Sequence, residues 1–538
     1  MPERIAALPN AVLFVLVFVA VAVTHLTLLR LPYYWDEGGY YVPAALDFYH
    51  RWTLIPEFTN AHPPLPNVVL GLVWHVAGLH VVATRLTVCV FAAAALIAVF
   101  RMVERLLDVR AAFTVMLLTA VYPIWFAQST LAHADIFAAA FTLWAFALYL
   151  PAMCHVERKQ PYLAVAALFS LAVLSKETAI IQPAILAAIA LVAIFRGNER
   201  EKNGRWLAAL SFPLLPLICW YAYHHHKTGF TFGNPEYLRY NATANFTAGH
   251  IAQALYYRAI HLFWQRNIWL PLLLAVACLL LPKRKVVALS RGTWRTIALL
   301  VAGNWVAFSI LGGALLTRYL LPVYPLILLV CVDVWRRRVS YWPVLAVFSG
   351  VAFVAAIWLN PPTAFAPEDN LTYRDMIVVH QQAIEYIEQH YPDAHVLTAW
   401  PAAAELFRPD LGYVSRRVLV TPVENFSLAE MQKAAQTPET FDTAMVFTTH
   451  YTSPALAAYL LNHPNSRRGR EYATERDLPP GDIAAMLGGV VVFSAERDGE
   501  WAAVIRFNRR YEALATVPRG TIASVHQGFL DFRGRITR

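Results

Sequence analysis

The chain has 538 residues, of which 58% are hydrophobic and only 15% charged, with a mean hydropathy of +0.45; soluble domains carry roughly 25% charged residues. This composition excludes a soluble or disordered chain and indicates a polytopic α-helical membrane protein. The net charge of +9 does not imply a nucleic-acid partner, because much of the basic excess falls in short runs between apolar segments, as positive-inside topology requires.

Apolar windows of about 20 residues recur at 11–31, 81–103, 111–128, 131–151, 161–175, 178–196, 206–223, 267–282, 295–317, 318–335 and 341–359, giving about 11 transmembrane helices. The first run exceeds the ~7–15 residues of a signal-peptide core and has no small-x-small cleavage site before Pro32, so it is read as retained. A cytoplasmic N-terminus places the connections 101–110, 158–159, 196–205, 283–295 and 336–338 inside. All five are rich in Arg or Lys, so span count and orientation support each other. The first outer loop, 32–80, the loop 224–266 and everything after about residue 360 then face the other side. Within the first loop, 43–52 and 66–78 read as interfacial helices.

After Asn360 the composition turns polar across Pro361-Pro362, dividing a transmembrane domain, 1–360, from a soluble α/β extracytoplasmic domain, 361–538. Apolar spacing predicts a helix over 375–390 and strands over 395–398, 418–421, 444–448 and 489–493. No phosphate loop, nucleophile elbow, metal-spaced histidine pair or tandem repeat occurs there. Cys89, Cys154, Cys219, Cys278 and Cys331 are scattered through apolar stretches and read as core residues. Glycosylation triplets begin at Asn241, Asn245, Asn370 and Asn425, but such triplets also arise by chance. Compact inner loops and no retention signal at Arg538 favour a bacterial inner membrane.

Charged residues outside the basic loops gather at one membrane level. Asp36 and Glu37 follow the first span within Tyr33-Tyr34-Trp35-Asp36-Glu37-Gly38-Gly39-Tyr40-Tyr41; Asp135 opens the fourth; Lys176 and Glu177 separate the fifth and sixth; Arg318-Tyr319 separates the ninth and tenth. Ionisable groups near hydrocarbon are costly and normally face a cavity or a partner, so their convergence predicts a polar site. Taken one at a time, each could equally cap a helix or anchor it at the interface. In an extended segment Asp36 and Glu37 point to opposite sides, so one acid, Asp36, is assigned the general-base role. Glu37 then organises the loop or touches substrate. The prolines of His62-Pro63-Pro64-Leu65-Pro66 hold His62 in one orientation, suited to binding phosphate or sharing a proton. Lys176 and Arg318 can meet charge that builds on a departing phosphate. The run His224-His225-His226 cannot turn every ring toward one ion in a regular helix. No motif requires a cofactor, and a divalent metal is left open.

These motifs resemble those of the GT-C glycosyltransferases. The combination of Asp36-Glu37, His62-Pro63-Pro64-Leu65, Asp135, Ser175-Lys176-Glu177 and Arg318-Tyr319-Leu320-Leu321-Pro322 is similar to that of protein O-mannosyltransferases and bacterial lipid A aminoarabinose transferases, over roughly residues 10–360. The resemblance implies that Asp36 is the catalytic base, that Asp135 shapes the pocket, and that the basic groups hold a lipid phosphate. It further implies transfer of a sugar, a hexose or pentose, from a polyprenyl-phosphate donor to a lipid, glycan or protein acceptor on the non-cytoplasmic face, with inversion. Aminoarabinose transferases carry Lys where this chain has His62, and the mannosyltransferases' sugar-binding repeats are not evident after residue 360. A membrane transporter or lipid flippase is the alternative, but such proteins favour midplane polar groups and inverted repeats; neither pattern is visible here.

Overall fold

The computed structural model describes residues 9–56, 62–154, 160–233, 246–311, 315–361, 365–449, 451–452 and 454–508. Its contacts divide the chain into two units, one of residues 1–29 and 43–357, the other of residues 30–42 and 358–538. The loop connection 158–159 and the triplets at Asn241 and Asn245 fall outside the described residues.

The first unit is helical. Among the described residues, four helices are long and apolar enough to cross a membrane: Val81–Leu106, Ala134–Met153, Glu177–Phe195 and Arg200–Thr228, with a break near Phe212 in the last. Shorter apolar helices, Asn10–Thr24, Leu65–Ala77, Val109–Val121, Tyr162–Ser175, Trp269–Cys278 and Trp342–Trp358, accompany them. The protein is thus an integral membrane protein built mainly of helices. Burial sorts the long helices: 78% of the apolar window of both Val81–Leu106 and Ala134–Met153 is buried, against 28% for Glu177–Phe195. The first two therefore form the interior of the bundle. Small residues such as Ala92, Ala95, Ala139 and Ala147, all fully buried, suit close approach of helix backbones, and Phe91 packs on Phe137 at 4.3 Å. Outward apolar side chains such as Leu163, Phe195, Leu280 and Val347 are exposed, as lipid-facing positions should be.

Helix ends are fixed by local chemistry. Asp108 caps Val109–Val121 through the Ala111 N–H, Ser290 caps Arg291–Ile310, and Thr247 caps Ala248–Phe263. The first helix stops at Thr24, short of the expected 31. His25 stops it, its ring held between the Val21 and Phe126 carbonyls at 2.7 and 2.9 Å, and residues 25–30 turn.

The second unit holds a five-stranded sheet in the order β2-β1-β3-β5-β4, with β1 His395–Ala399, β2 Leu419–Val423, β3 Thr443–Phe447, β4 Gly489–Arg497 and β5 Glu500–Phe507. β1 runs parallel to β2 and β3, while β5 is antiparallel to β3 and β4. Strand β3 is buried on both faces and occupies the centre. The helix Thr372–His390 lays Met376, Ile377, Val379, Ala383, Ile384 and Ile387 toward the core, the spacing of one helical face. Four of the five strands lie where the sequence puts them. The fifth follows the Asp498-Gly499 turn, both residues with positive φ (47° and 88°), the conformation that two-residue hairpins require.

The segment 30–42 belongs to this second unit although its flanks belong to the first. Here the condition under which Asp36 and Glu37 would point to opposite sides, an extended segment, is not met. Asp36 has helical φ and ψ of −63° and −28°, and Glu37–Tyr41 forms a single π-turn. The fully buried Glu37 carboxylate accepts the Tyr34 N–H at 2.8 Å, which winds the segment, and Gly38-Gly39 leaves room for the wide turn.

Candidate active site

In the first unit, loops between helices bring charged residues together. Asp135 lies in the opening turn of Ala134–Cys154. Lys176 is the extended residue that ends Tyr162–Ser175, and Arg318 sits in the short turn Thr317–Leu320. Lys176 Nζ donates to Asp135 Oδ1 at 2.6 Å, and Arg318 Nε lies 3.3 Å from Oδ2 of the same carboxylate. All three are buried, with exposures of 6% for Lys176, 5% for Asp135 and 3% for Arg318. The ring of Tyr319 lies 4.0 Å from Lys176 Nζ, a cation–π contact that holds the ammonium without neutralising it. Two cations thus share one carboxylate.

Further basic side chains lie nearby. Arg258, fully buried on the helix Ala248–Phe263, lies 5.5 Å from the Tyr319 ring and donates to the Leu316 carbonyl at 2.6 Å. His133 lies beside Arg318 and against the Gln128 side-chain oxygen at 2.8 Å. Arg85, also buried, donates to the Thr130 carbonyl at 2.7 Å and ties Val81–Leu106 to the strap ahead of Asp135.

Next to this cluster, Glu177 pairs with His62 while also feeling the charge of Lys176. His62 Nδ1 lies 2.9 and 3.1 Å from the two Glu177 oxygens. A carboxylate on one ring nitrogen fixes the tautomer and turns the other nitrogen into the ring's working position. The His62-Pro-Pro turn and the Ser175-Lys176-Glu177 turn, more than 110 residues apart, are joined through this contact.

Of the residues singled out in the sequence, His62 is brought to Glu177, and Asp135, Lys176, Arg318 and Tyr319 are brought to one another. Asp36 and Glu37 belong to the second unit. The histidine run diverges: His224 is buried against the Phe230 carbonyl, while His225 meets Thr231. Among the described residues no three His, Cys, Asp or Glu side chains are grouped as a metal site. Sequence reading missed Arg258. Its signal was the Thr247 cap followed by Ala254, Arg258 and Leu262 at spacings of four, one face of a helix within what reads as an outer loop.

Residues 61–222 match the family described as dolichyl-phosphate-mannose-protein mannosyltransferase. Among curated proteins, none matches this chain in sequence. Among solved structures, the chain is similar to ArnT from Cupriavidus metallidurans bound to undecaprenyl phosphate, with a TM-score of 0.54 at 14% identity over 95% of this chain and 99% of that one. ArnT from the same organism in the apo state gives 0.51 at 13% identity, covering 92% and 98%. At these identities the likeness concerns the fold, and it spans nearly the whole of both chains. The chain therefore has the GT-C fold, the architecture of the membrane glycosyltransferases that its first-loop motifs resemble.

Proposed function

We propose that the protein is a membrane glycosyltransferase that takes a hexosyl or pentosyl group from a polyprenyl-phosphate donor and passes it to a lipid, glycan or protein acceptor. The observation that carries this reading is the charge balance at Asp135, where one buried carboxylate serves both Lys176 and Arg318. Buried cations gathered on one carboxylate suit an anion, and a phosphate on a lipid carrier is the anion a membrane-embedded cluster would meet. The match of 61–222 to a family named for dolichyl-phosphate mannose supports the donor class, as does the undecaprenyl phosphate bound by the structurally similar ArnT.

In this reading Asp36 accepts the proton of the acceptor hydroxyl or amine as that atom attacks the anomeric carbon. The bond from that carbon to the phosphate oxygen breaks on the opposite face, so the sugar inverts and the polyprenyl phosphate leaves with the electron pair. Lys176 and Arg318 meet the charge that develops on the leaving phosphate, while the Tyr319 ring, itself packed against Arg258, holds the two cations in place. His62, oriented by Glu177, binds a phosphate oxygen or relays a proton. Basic inner loops support an N-terminus in the cytoplasm and a reaction on the outer face of a bacterial inner membrane.

The test is transfer by purified protein in proteoliposomes supplied with undecaprenyl-phosphate sugars. Asp36→Asn keeps the shape and removes the base, and a fall of about 10²–10⁴-fold is expected. Undiminished transfer would remove Asp36 from the mechanism. Donor flux across the membrane without any product would favour a flippase instead.

A further inference from the structure

Residues 30–42 pack as part of the C-terminal unit, and the contacts that make them so are specific. The Tyr33 N–H donates to the Leu411 carbonyl at 3.1 Å, so a backbone bond ties the segment to the turn Pro409–Leu411. The Tyr34 ring packs on Tyr373 at 5.6 Å and 58°, on the first turn of Thr372–His390. Both tyrosines, Leu411 and Tyr373 are buried, at 3% exposure or less. A methyl group added at Gly38 would lie 3.2 Å from Leu411 Cδ1, a tight contact to which the Leu411 side chain would have to give by a few tenths of an ångström.

These anchors bracket Asp36 on both sides. Tyr33 and Tyr34 precede it and Gly38 follows it, with Glu37 closing the turn onto the Tyr34 N–H. Between them Trp35 adopts a φ of 38°, in the left-handed region that a bulky side chain avoids. Such a conformation persists only where its surroundings impose it, and it is characteristic of functional segments. Free of these contacts, a segment with two consecutive glycines would sample many conformations.

We propose that the C-terminal unit positions the general base, with Leu411 and Tyr373 acting as positioning residues that fix the turn bearing Asp36. This gives the soluble unit a direct part in catalysis. The inference rests on the assignment of Asp36 as base. Leu411 and Tyr373 contact no substrate in this reading; they act through the Tyr33–Gly38 backbone.

The experiment compares Leu411→Ala, Leu411→Met and Gly38→Ala in the full-length protein in proteoliposomes, with Asp36→Asn as reference and hydrogen exchange of the 33–41 amides measured in parallel. Because a displacement of about 1 Å can cost about 10²-fold in rate, Leu411→Ala is expected to lower kcat at least about tenfold with little change in donor KM. It should also speed exchange at Tyr33. Leu411→Met, which conserves volume, should keep most of the activity. Gly38→Ala should lose activity when Leu411 is present and regain part of it in the Gly38→Ala/Leu411→Ala double variant, where the added methyl has space. If Leu411→Ala does not fold, Leu411→Met and Gly38→Ala carry the test through exchange and kcat alone. Unchanged kcat in folded Leu411→Ala and Gly38→Ala, alongside an inactive Asp36→Asn, would overturn the positioning role and leave the base intact. Full activity in Asp36→Asn would instead remove the base assignment.

Discussion

Two buried carboxylates, one in each unit, meet opposite company. Asp135 in the helical unit faces Lys176 and Arg318, two cations at 2.6 and 3.3 Å. Glu500 at the start of β5 is as deeply buried, but the ionisable groups that act on it are two further acids, Asp375 and Asp477. Of these, Asp375 is paired with Arg374 and Arg497, and Asp477 is held by Thr449. Around Asp135 two cations stabilise the carboxylate; around Glu500 burial and repulsion disfavour the anion, and the carboxyl keeps its proton. A buried acid is therefore informative about function only with its partners counted.

The largest effect on transfer is expected at Asp36, where the Asn variant removes the proton acceptor. Next comes Asp135→Asn, which leaves two buried cations without their shared counter-ion. Breaking a buried pair in this way costs about 3–5 kcal/mol. The variant should melt earlier, and undecaprenyl phosphate should restore much of the loss, because the lipid phosphate supplies the missing negative charge. Destabilisation that the lipid does not reverse would contradict the idea that the cluster receives a phosphate. Lys176→Met removes one of the two cations that meet Asp135. A rise of about tenfold or more in donor KM is expected, read from initial rates over a donor series. Glu177→Gln keeps a hydrogen-bonding acceptor for His62 but removes the charge, so a loss of about threefold to tenfold is expected, with a changed pH dependence of kcat. An unaltered pH profile would reduce the His62–Glu177 pair to a structural tie.

The sequence made the cluster legible because acids and bases at membrane depth stand out against apolar spans. Asp135, Lys176 and Arg318 are conspicuous for that reason, and their shared membrane level suggested the meeting that the helix ends then produce. Arg258 escaped notice because it lies in a polar stretch where another arginine carries no contrast; only the four-residue spacing with Ala254 and Leu262 betrays its buried face. The conformation at Asp36 was not legible either. Consecutive glycines signal a turn, whereas the π-turn arises from the Glu37 cap and from packing against residues almost 380 positions away. The break after Thr24 depends likewise on a carbonyl a hundred residues distant, that of Phe126. In the second unit four strands showed through their apolar runs. β5 did not, although Asp498-Gly499 before Trp501-Ala502-Ala503-Val504-Ile505 carries the hairpin signal.

The smallest effect on transfer is expected at Glu500, and there the prediction concerns stability. Burial, and after it repulsion from Asp375 and Asp477, pushes the Glu500 carboxyl from 4.5 up to about 8. Below pH 4.5 the folded and unfolded chains both hold this proton, and the fold has its full contribution from the site. Between about pH 4.5 and 8 the folded chain keeps the proton and the unfolded chain has lost it, so stability falls as pH rises, by at most about 1.4 kcal/mol per pH unit. Above that window both forms are ionised and the loss is complete. Glu500→Gln keeps the shape and a neutral polar head but cannot titrate. Its 489–507 hairpin should therefore resist hydrogen exchange about equally at pH 5 and pH 8, once intrinsic exchange rates are allowed for, whereas the wild-type hairpin should open more readily at pH 8. Transfer at neutral pH should be nearly unchanged, since the substitution leaves the Tyr33–Leu411 and Tyr34–Tyr373 contacts in place. A fall in transfer comparable to that of Lys176→Met would mean that the contrast between the two acids has been drawn in the wrong place, with Glu500 belonging to the reaction and not only to the fold.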